Sequence, residues 1–214
     1  MKLMSSGFDE GGRIPPEHAF CIEHPGTRVC LGSNRNPQLA WSELPAGTQS
    51  LVLICHDRDV PSRGDDVNQE GRTIPAALPR VDFFHWVLID LPPQPASIAA
   101  GEFSDGVTAR GKSGPQTLRG ARHGLNDYTG WFANDPGMAG QYFGYDGPCP
   151  PWNDEIAHHY VFTLHALDLA RLPLEGAFTG AEVREAIRGH VLAEATLTGV
   201  YWLNPALDPK ASAG

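Results

Sequence analysis

The sequence predicts a mainly β protein, a sandwich of strands with one peripheral helix near the C terminus. Glycine (24) and proline (19) are more frequent in the 214 residues than is average, which favours many turns over long helices. Three short apolar runs have the length of buried strands, and one helical pattern follows late in the chain. All-β sandwiches of this size commonly form one domain, so we expect a single domain at 1–204 and a flexible tail at 205–214.

The three predicted strands are nearly continuous apolar runs. They are Leu51–His56, Phe83–Ile89 and His158–Leu164. Asp57–Ser62, which follows the first run, has the polar and proline content of a turn, and Pro92–Pro93 ends the second. The chain therefore predicts three central strands separated by long excursions.

The predicted helix begins with a capping box, in which Thr179 and Glu182 satisfy free backbone N–H groups. Apolar residues then recur every four positions on one face, at Val183, Ile187 and Val191. Strand-like alternation resumes at Ala195–Tyr201. A single helix in a strand-rich chain fits a peripheral position.

Charge and the N-terminal sequence limit the classes of partner and location. The net charge of −9 opposes general binding to nucleic acid or to anionic lipid. No apolar stretch approaches the roughly 20 residues needed to span a bilayer. Met1–Phe8 lacks the apolar core of a secretory signal, so we expect a cytoplasmic protein with reduced cysteines. The even number of cysteines, four, permits disulfides without requiring them.

One phosphate-binding motif is present but has the wrong context. Gly106–Ser113 matches the P-loop pattern, which works only between a buried strand and a helix. Neither flank fits, because Ala100–Asp105 is not an apolar strand and Gly114–Pro115 disfavours a helix. We interpret this segment as a surface loop and expect no nucleotide or other cofactor.

Four polar side chains in or beside the predicted strands form the candidate site, and they are Asp57, His85, His158 and Tyr160. The period of two along a strand places His158 and Tyr160 on one face. If the three strands are neighbours, all four side chains converge. Imidazole N–H and phenol O–H groups are donors to phosphate oxygens, and a carboxylate beside a histidine favours the imidazolium form.

Simpler interpretations of the same residues stay open. A histidine taken alone is more often a hydrogen-bonded core or surface residue than a ligand contact. Asp57 also has the residue type that closes turns. The spacing supplies no C-x-x-C or H-x-x-x-H pair, so we predict no metal site.

Short motifs in a fixed order resemble the phosphatidylethanolamine-binding protein family, in its bacterial branch of Raf kinase inhibitor-like proteins. The resemblance runs from about Ser6 to Tyr201. The matching segments are Phe8–Gly12, His56–Ser62 (similar to D-P-D-A-P-[ST]), His85–Asp90 (H-W-V), Gly147–Pro151 with His158–Phe162 (G-P-C-P-P and H-R-Y-[VF]-F), and Gly189–Glu194, which resembles the bacterial C-terminal helix.

The resemblance implies a two-sheet antiparallel sandwich with an anion pocket. By motif, the pocket residues would be Asp57, His85, His158 and Tyr160, with Pro150 and Pro151 at the rim. Arg58, Val60 and His159 replace residues that are usual in the family motifs, and two inserted segments also depart from the family pattern. We expect the insertion Arg63–Arg80 to form a lid or a dimer contact, and the insert Trp152–Ala157 to reshape the pocket mouth.

The functional hypothesis is a small-anion binding protein for phosphate or a phosphoethanolamine-type headgroup. Two alternatives remain, a regulatory inhibitor of a kinase or protease and an acid–base enzyme that uses the Asp/His/His group. Since no activated nucleophile is evident, the enzyme is the less favoured of these. The resemblance also implies a homodimer, while any other protein partner cannot be read from the sequence.

Overall fold

Two antiparallel sheets and a two-stranded ribbon make up the structure, a computed structural model that describes residues 1–208. The strands are β1 Lys2–Met4, β2 Cys21–His24, β3 Arg28–Leu31, β4 Leu39–Ser42, β5 Ser50–Pro61, β6 Arg80–Leu91, β7 Ser97–Ile98, β8 Arg122–His123, β9 His158–Leu167 and β10 Val191–Tyr201. The helices are α1 Tyr128–Trp131 and α2 Gly180–Ala186, with 3₁₀ turns at Pro16–His18, Leu118–Gly120 and Pro205–Leu207.

The three predicted strands lie together in the larger sheet. Its order is β10-β9-β5-β6-β8, and every neighbouring pair is antiparallel. The smaller sheet has the order β1-β4-β7, and β2 pairs with β3. The mainly β, two-sheet antiparallel sandwich expected from the sequence is therefore confirmed.

The main core lies between the two sheets. Alternate residues of β5, such as Leu51 and Leu53, face Leu39 and Trp41 of the smaller sheet in one apolar cluster. Trp86 of β6 is fully buried in the same cluster. Because every second residue of a strand points to the same side, the polar residue Asp57 faces the same side as Leu51 and Leu53.

The predicted helix is shorter than its apolar pattern. The Thr179–Glu182 capping box is present, and Val183 packs on the outer face of the large sheet. The helix ends at Ala186, so the expectation that it extends to Val191, and that Gly189–Glu194 is helical, is wrong. Val191 instead begins β10, because Gly189 (φ +81°) reverses the chain and the following residues pair with β9.

The turn predicted at Asp57–Ser62 is also wrong, because β5 continues to Pro61. Pairing with β6 extends as far as Pro61 and Arg80, with an irregular register between Asp57 and Val60. Turn-type residues are therefore accommodated in a bulged strand end, where one strand contributes more residues than its partner.

A disulfide joins Cys21 of β2 to Cys149, across a sequence separation of 128 residues. The expectation of fully reduced cysteines is therefore wrong for this pair, while Cys30 and Cys55 are free. Disulfides persist in oxidising compartments, so the cytoplasmic location stays a prediction that this bond does not support.

The end of the chain is described in part. Pro205–Leu207 forms a 3₁₀ turn capped by the Asn204 side chain, whereas residues 209–214 lie outside the described residues. The domain 1–204 and its flexible tail remain predictions. No helix within residues 1–208 is long and apolar enough to cross a membrane.

The disulfide predicts a specific labelling pattern. Iodoacetamide in denaturant without reductant should label two cysteines, Cys30 and Cys55, and label four after reduction. Because the bond closes a long loop, Cys149→Ser should lower the free energy of unfolding by about 3 kcal/mol in urea titrations. Intact-protein mass spectrometry measures the first result, and four labels without reductant would contradict the bond.

Candidate functional site

A cavity of about 450 Å³ lies against β5, β6 and β9. Most of its wall is apolar, and within residues 1–208 no lysine or arginine lines it. The lining residues are Phe20, Cys21, Val29, Leu31, Asp57, Val60, Pro61, Gly64, Val67, Asn68, Phe83, His85, Tyr128, Trp131, Phe132, Met138, Cys149, Pro150, Pro151, His158 and Tyr160.

The candidate residues named from the sequence all line this cavity. The His158 ring contacts Asp57 at 2.7 Å, and the rings of His85 and Tyr160 lie 5.1 Å apart. All four side chains are buried, with exposed fractions between 0% and 3%. Pro150 and Pro151 lie in the same wall, so the six residues are brought together.

A β-bulge explains why His85 faces the cavity. Cys55 pairs with Trp86, and the next residue of β5, His56, pairs with Phe84. His85 is therefore the extra residue on β6, and both His85 and Trp86 face inward. Bulges redirect side chains in this way, and strict alternation along β6 would have put these two neighbours on opposite faces.

His158 is held between two carboxylates. Its Nδ1–H donates to Asp57 Oδ2 at 2.7 Å, and its Nε2–H donates to Asp154 Oδ2 at 3.1 Å. Burial opposes a charge on the ring, but Asp57 and Asp154 outweigh burial and raise the pKa of His158 to about 9. The ring is an imidazolium whose two N–H groups are both used within the protein.

The charges around His158 cancel one another. Arg80 binds both oxygens of Asp154, at 2.5 and 3.0 Å. Burial alone would raise the pKa of Asp57 and of Asp154, but His158 reverses the effect at both, with Arg80 assisting at Asp154, and each pKa is lowered. The chain Arg80–Asp154–His158–Asp57 thus alternates in sign and has no net charge.

His85 has the opposite protonation state. Its Nδ1–H donates to the Asp146 carbonyl at 2.7 Å, so Nε2 is the ring nitrogen left for a ligand. Burial lowers the pKa of His85 to about 4, against the opposing effect of Asp57. The imidazolium form that a neighbouring carboxylate favours is therefore found at His158, whereas His85 is neutral.

Asp146 anchors His85 from behind. The Asp146 carbonyl accepts from the His85 ring, and the Asp146 backbone N–H donates to the His85 carbonyl at 3.0 Å. The buried Asp146 carboxylate accepts from Lys112 Nζ (2.6 Å), Asn126 Nδ2 (2.8 Å) and Asn34 Nδ2 (2.7 Å). Lys112 is the lysine of the P-loop-like segment, but no helix begins there, so this segment is not a P-loop. Its lysine instead binds the Asp146 carboxylate behind His85.

The Tyr160 hydroxyl is buried and makes no hydrogen bond of normal geometry among the described residues, although the Asp57 carboxylate acts on it as a neighbouring acceptor. Burial raises the pKa of Tyr160 well above its usual value, and the nearby charge of Asp57 acts in the same direction. The hydroxyl therefore keeps its proton and can donate it to a ligand in the cavity. A buried polar group without a partner costs free energy, so its presence needs an explanation.

Asp154 and the insertion are the parts of the site that sequence reasoning missed or left open. Asp154 lies in the Trp152–Ala157 insert, where no periodicity marks it. Its neighbour Asn153 donates from Nδ2 to backbone carbonyls within the Arg63–Arg80 insertion, the closest contacts being Asp66 (2.8 Å) and Arg72 (3.1 Å).

The Arg63–Arg80 insertion is thereby fixed against the cavity. Gly64, Val67 and Asn68 of this segment form part of the cavity wall. Asn68 N–H donates to Asn153 Oδ1 at 3.0 Å, and Trp152 N–H donates to Asn68 Oδ1 at 3.0 Å. The segment contributes a wall, and its role as a dimer contact stays a prediction. Within residues 1–208, no group of three or more acidic, histidine or cysteine side chains is arranged to hold a metal.

The His158 clamp predicts a loss of stability in alkali. A pKa raised from 6.5 to about 9 stabilises the fold fully below pH 6.5, and this contribution disappears as the pH rises through 9. The expected loss is about 3 kcal/mol. Urea unfolding at pH 6.5 and 9 measures it, and Asp154→Asn should show a smaller drop because His158 then has one carboxylate partner. Equal drops in the two proteins would contradict the clamp.

The Asn153 contacts predict local opening when they are removed. Asn153→Ala should increase amide hydrogen exchange in 63–79, because three backbone carbonyls lose their donor, while the central strands stay protected. Asn204→Ala, which removes a comparable contact to the Asp154 carbonyl, is the matched control and should leave 63–79 unchanged. Unchanged exchange in Asn153→Ala would show that other contacts fix the insertion.

The chain is similar to known proteins over most of its length. A family model described as phosphatidylethanolamine-binding protein matches residues 4–202. UPF0098 protein YbhB of Escherichia coli K12 is 30% identical over 201 residues, covering 94% of this chain and 99% of the relative. A UPF0098 protein of Methanothermobacter thermautotrophicus is 31% identical, covering 94% of this chain and 98% of the relative.

Solved structures share the fold over the same span. YbcL of Escherichia coli matches with a TM-score of 0.67 at 25% identity, covering 94% of this chain and 97% of that one. CT736 of Chlamydia trachomatis, described as a homologue of phosphatidylethanolamine-binding protein, matches with a TM-score of 0.63 at 28% identity, covering 94% and 95%. The chain therefore belongs to the phosphatidylethanolamine-binding protein family.

Proposed function

We propose that this protein binds a small amphiphilic molecule whose phosphate-type head contacts Tyr160 and His85 at the cavity floor. The observation that carries the proposal is the Tyr160 hydroxyl, a buried donor in the cavity wall that makes no hydrogen bond of normal geometry among the described residues and has only the Asp57 carboxylate acting on it as an acceptor. Burying a donor that lacks a full hydrogen bond costs free energy, and a ligand oxygen would supply the missing acceptor. The His85 ring lies 5.1 Å from the Tyr160 ring in the same cavity, and its Nδ1, not its Nε2, is the nitrogen bonded to the Asp146 carbonyl.

The size and the apolar wall of the cavity support an apolar portion on the ligand. Cavities of roughly 300–1,000 Å³ are typical of sites for drug-sized molecules, and a phosphate group alone would leave most of 450 Å³ unfilled. Phe83, Phe132 and Met138 are among the apolar side chains available to it. Each buried CH₂ group adds about 0.8 kcal/mol, so the apolar portion would supply most of the affinity.

The geometry favours binding over the acid–base alternative. His158 is clamped by two carboxylates, so neither of its nitrogens is free to exchange a proton with a substrate. His85 is the one remaining histidine of the candidate set. No observation on the described residues favours the regulatory alternative, in which the protein inhibits a kinase or protease.

Tyr160→Phe separates ligand binding from stability. The variant loses a donor that the ligand would use, so its affinity for hexyl phosphate should fall about fivefold or more. Its free energy of unfolding should be unchanged or higher by about 1 kcal/mol, because the hydroxyl makes no hydrogen bond of normal geometry with the protein. Isothermal titration calorimetry and urea unfolding measure the two effects. Inorganic phosphate should bind on the order of 0.1–1 mM, more weakly than hexyl phosphate.

Tyr145→Phe is the matched control. Tyr145 is also fully buried, but its hydroxyl donates to the His18 carbonyl at 2.6 Å and it does not line the cavity. This variant should lose stability and keep its affinity. If hexyl phosphate fails to bind the wild-type protein at millimolar concentration, the proposed function is wrong.

A further inference from the structure

The cavity floor is poor in hydrogen-bond donors for an anion. Of the polar side chains there, His158 uses both of its N–H groups on Asp57 and Asp154. His85 uses its Nδ1–H on the Asp146 carbonyl, and in its neutral form Nε2 is an acceptor. The Tyr160 hydroxyl makes no hydrogen bond of normal geometry and has Asp57 acting on it as an acceptor, so it is the one side-chain donor of the candidate set that a ligand oxygen can recruit.

The floor also lacks an uncompensated positive charge. Arg80, Asp154, His158 and Asp57 form a neutral chain, and the Lys112 charge is paired with Asp146 at 2.6 Å. Within residues 1–208 the cavity wall contains neither lysine nor arginine. An anion placed beside these residues would face the carboxylate of Asp57 and the lone pair of His85, with one hydroxyl of the candidate set to bind it. The other N–H donors of the cavity wall, on Asn68 and Trp131, carry no charge. Such a site repels an anion unless a positive charge is added.

His85 Nε2 is the position where that charge can be added. Its ring contacts Tyr160 (5.1 Å) and Tyr128 (5.5 Å), which remain protonated phenols at neutral pH. The charged groups that act on it from the neighbouring strands are Asp57 of β5 and His158 of β9. The carboxylate of Asp146, whose backbone carbonyl binds His85, accepts a hydrogen bond from Lys112.

We propose that an anionic ligand enters this cavity together with one proton from solvent, which binds at Nε2 of His85 and converts its ring to an imidazolium. The inference rests on the proposed function and adds how that site is regulated. The proton forms the N–H bond that donates to the ligand oxygen, and the new charge pairs with the anion and with Asp57. Burial, which lowers the pKa of the empty site's His85 to about 4, keeps the proton off until a ligand arrives.

Asp154 gives this site its dependence on a single histidine. By taking Nε2 of His158, the Asp154 carboxylate removes the second imidazole from ligand recognition. Asp154 is therefore a positioning residue, which acts through His158. Because only His85 takes up a proton on binding, the affinity for an anion should rise as the pH falls. The rise between about pH 8 and pH 5 should be at most tenfold per pH unit, which is the limit for uptake of one proton.

Hexyl sulfate is the decisive probe, because a sulfate ester carries no proton that titrates near neutrality. Calorimetry at pH 6 in buffers of different ionisation enthalpy counts the protons taken up per bound ligand. Wild type should take up close to one, and the affinity should fall steeply toward pH 8. A ¹⁵N NMR shift of His85 Nε2 to the imidazolium value on binding identifies the site of the proton.

Two variants distinguish the source of the effect. His85→Gln cannot gain a proton, so its weaker binding should be independent of pH, while Tyr160→Phe should bind more weakly with the wild-type pH slope.

The outcomes separate this inference from the proposed function. Hexyl sulfate binding without proton uptake would overturn this inference and would leave the proposed function intact. Binding of hexyl phosphate but not of hexyl sulfate at any pH, or a pH slope kept in His85→Gln, would also overturn it. Failure of both ligands to bind would overturn both proposals.

Discussion

The buried ion pair between Asp57 and His158 is the interaction on which the rest of the site depends. Asp57 follows Leu51 and Leu53 on the inward face of β5, and His158 is the first residue of β9, so the pair joins the two central strands beside the cavity. An isolated charge at either position would be costly to bury. Asp154 and Arg80 extend the pair into a neutral chain, which makes the arrangement tolerable without water.

This chain couples the cavity to the segment that walls it. Arg80 is the first residue of β6 and the last of the insertion, and Asp154 lies beside Asn153, which holds the insertion in place. The charge that fixes His158 and the contacts that fix the wall therefore belong to the same few residues. The inserted segments Arg63–Arg80 and Trp152–Ala157 therefore form one structural unit, in which each segment is held in place by the other.

Much of the fold and part of the site could be predicted from local pattern. Period two placed His158 and Tyr160 on one face, and the structure confirms it. The capping box at Thr179 is present, but the apolar residues spaced four apart predicted a longer helix than the one that forms. Val191 pairs with β9, and this pairing outweighs a weak helical preference. The inward position of His85 depends on a bulge, and a bulge is set by the pairing of two strands.

By itself, the sequence determined the central strands, the common face of His158 and Tyr160, and a family resemblance that named the six cavity residues. These follow from short-range periodicity and from motifs that lie within a few residues of one another. Only the tertiary structure decided that Cys21 bonds Cys149, that His158 is charged and that His85 is neutral. The reason is physical: a protonation state depends on burial and on partners such as Asp57, which is 101 residues from His158 in the chain.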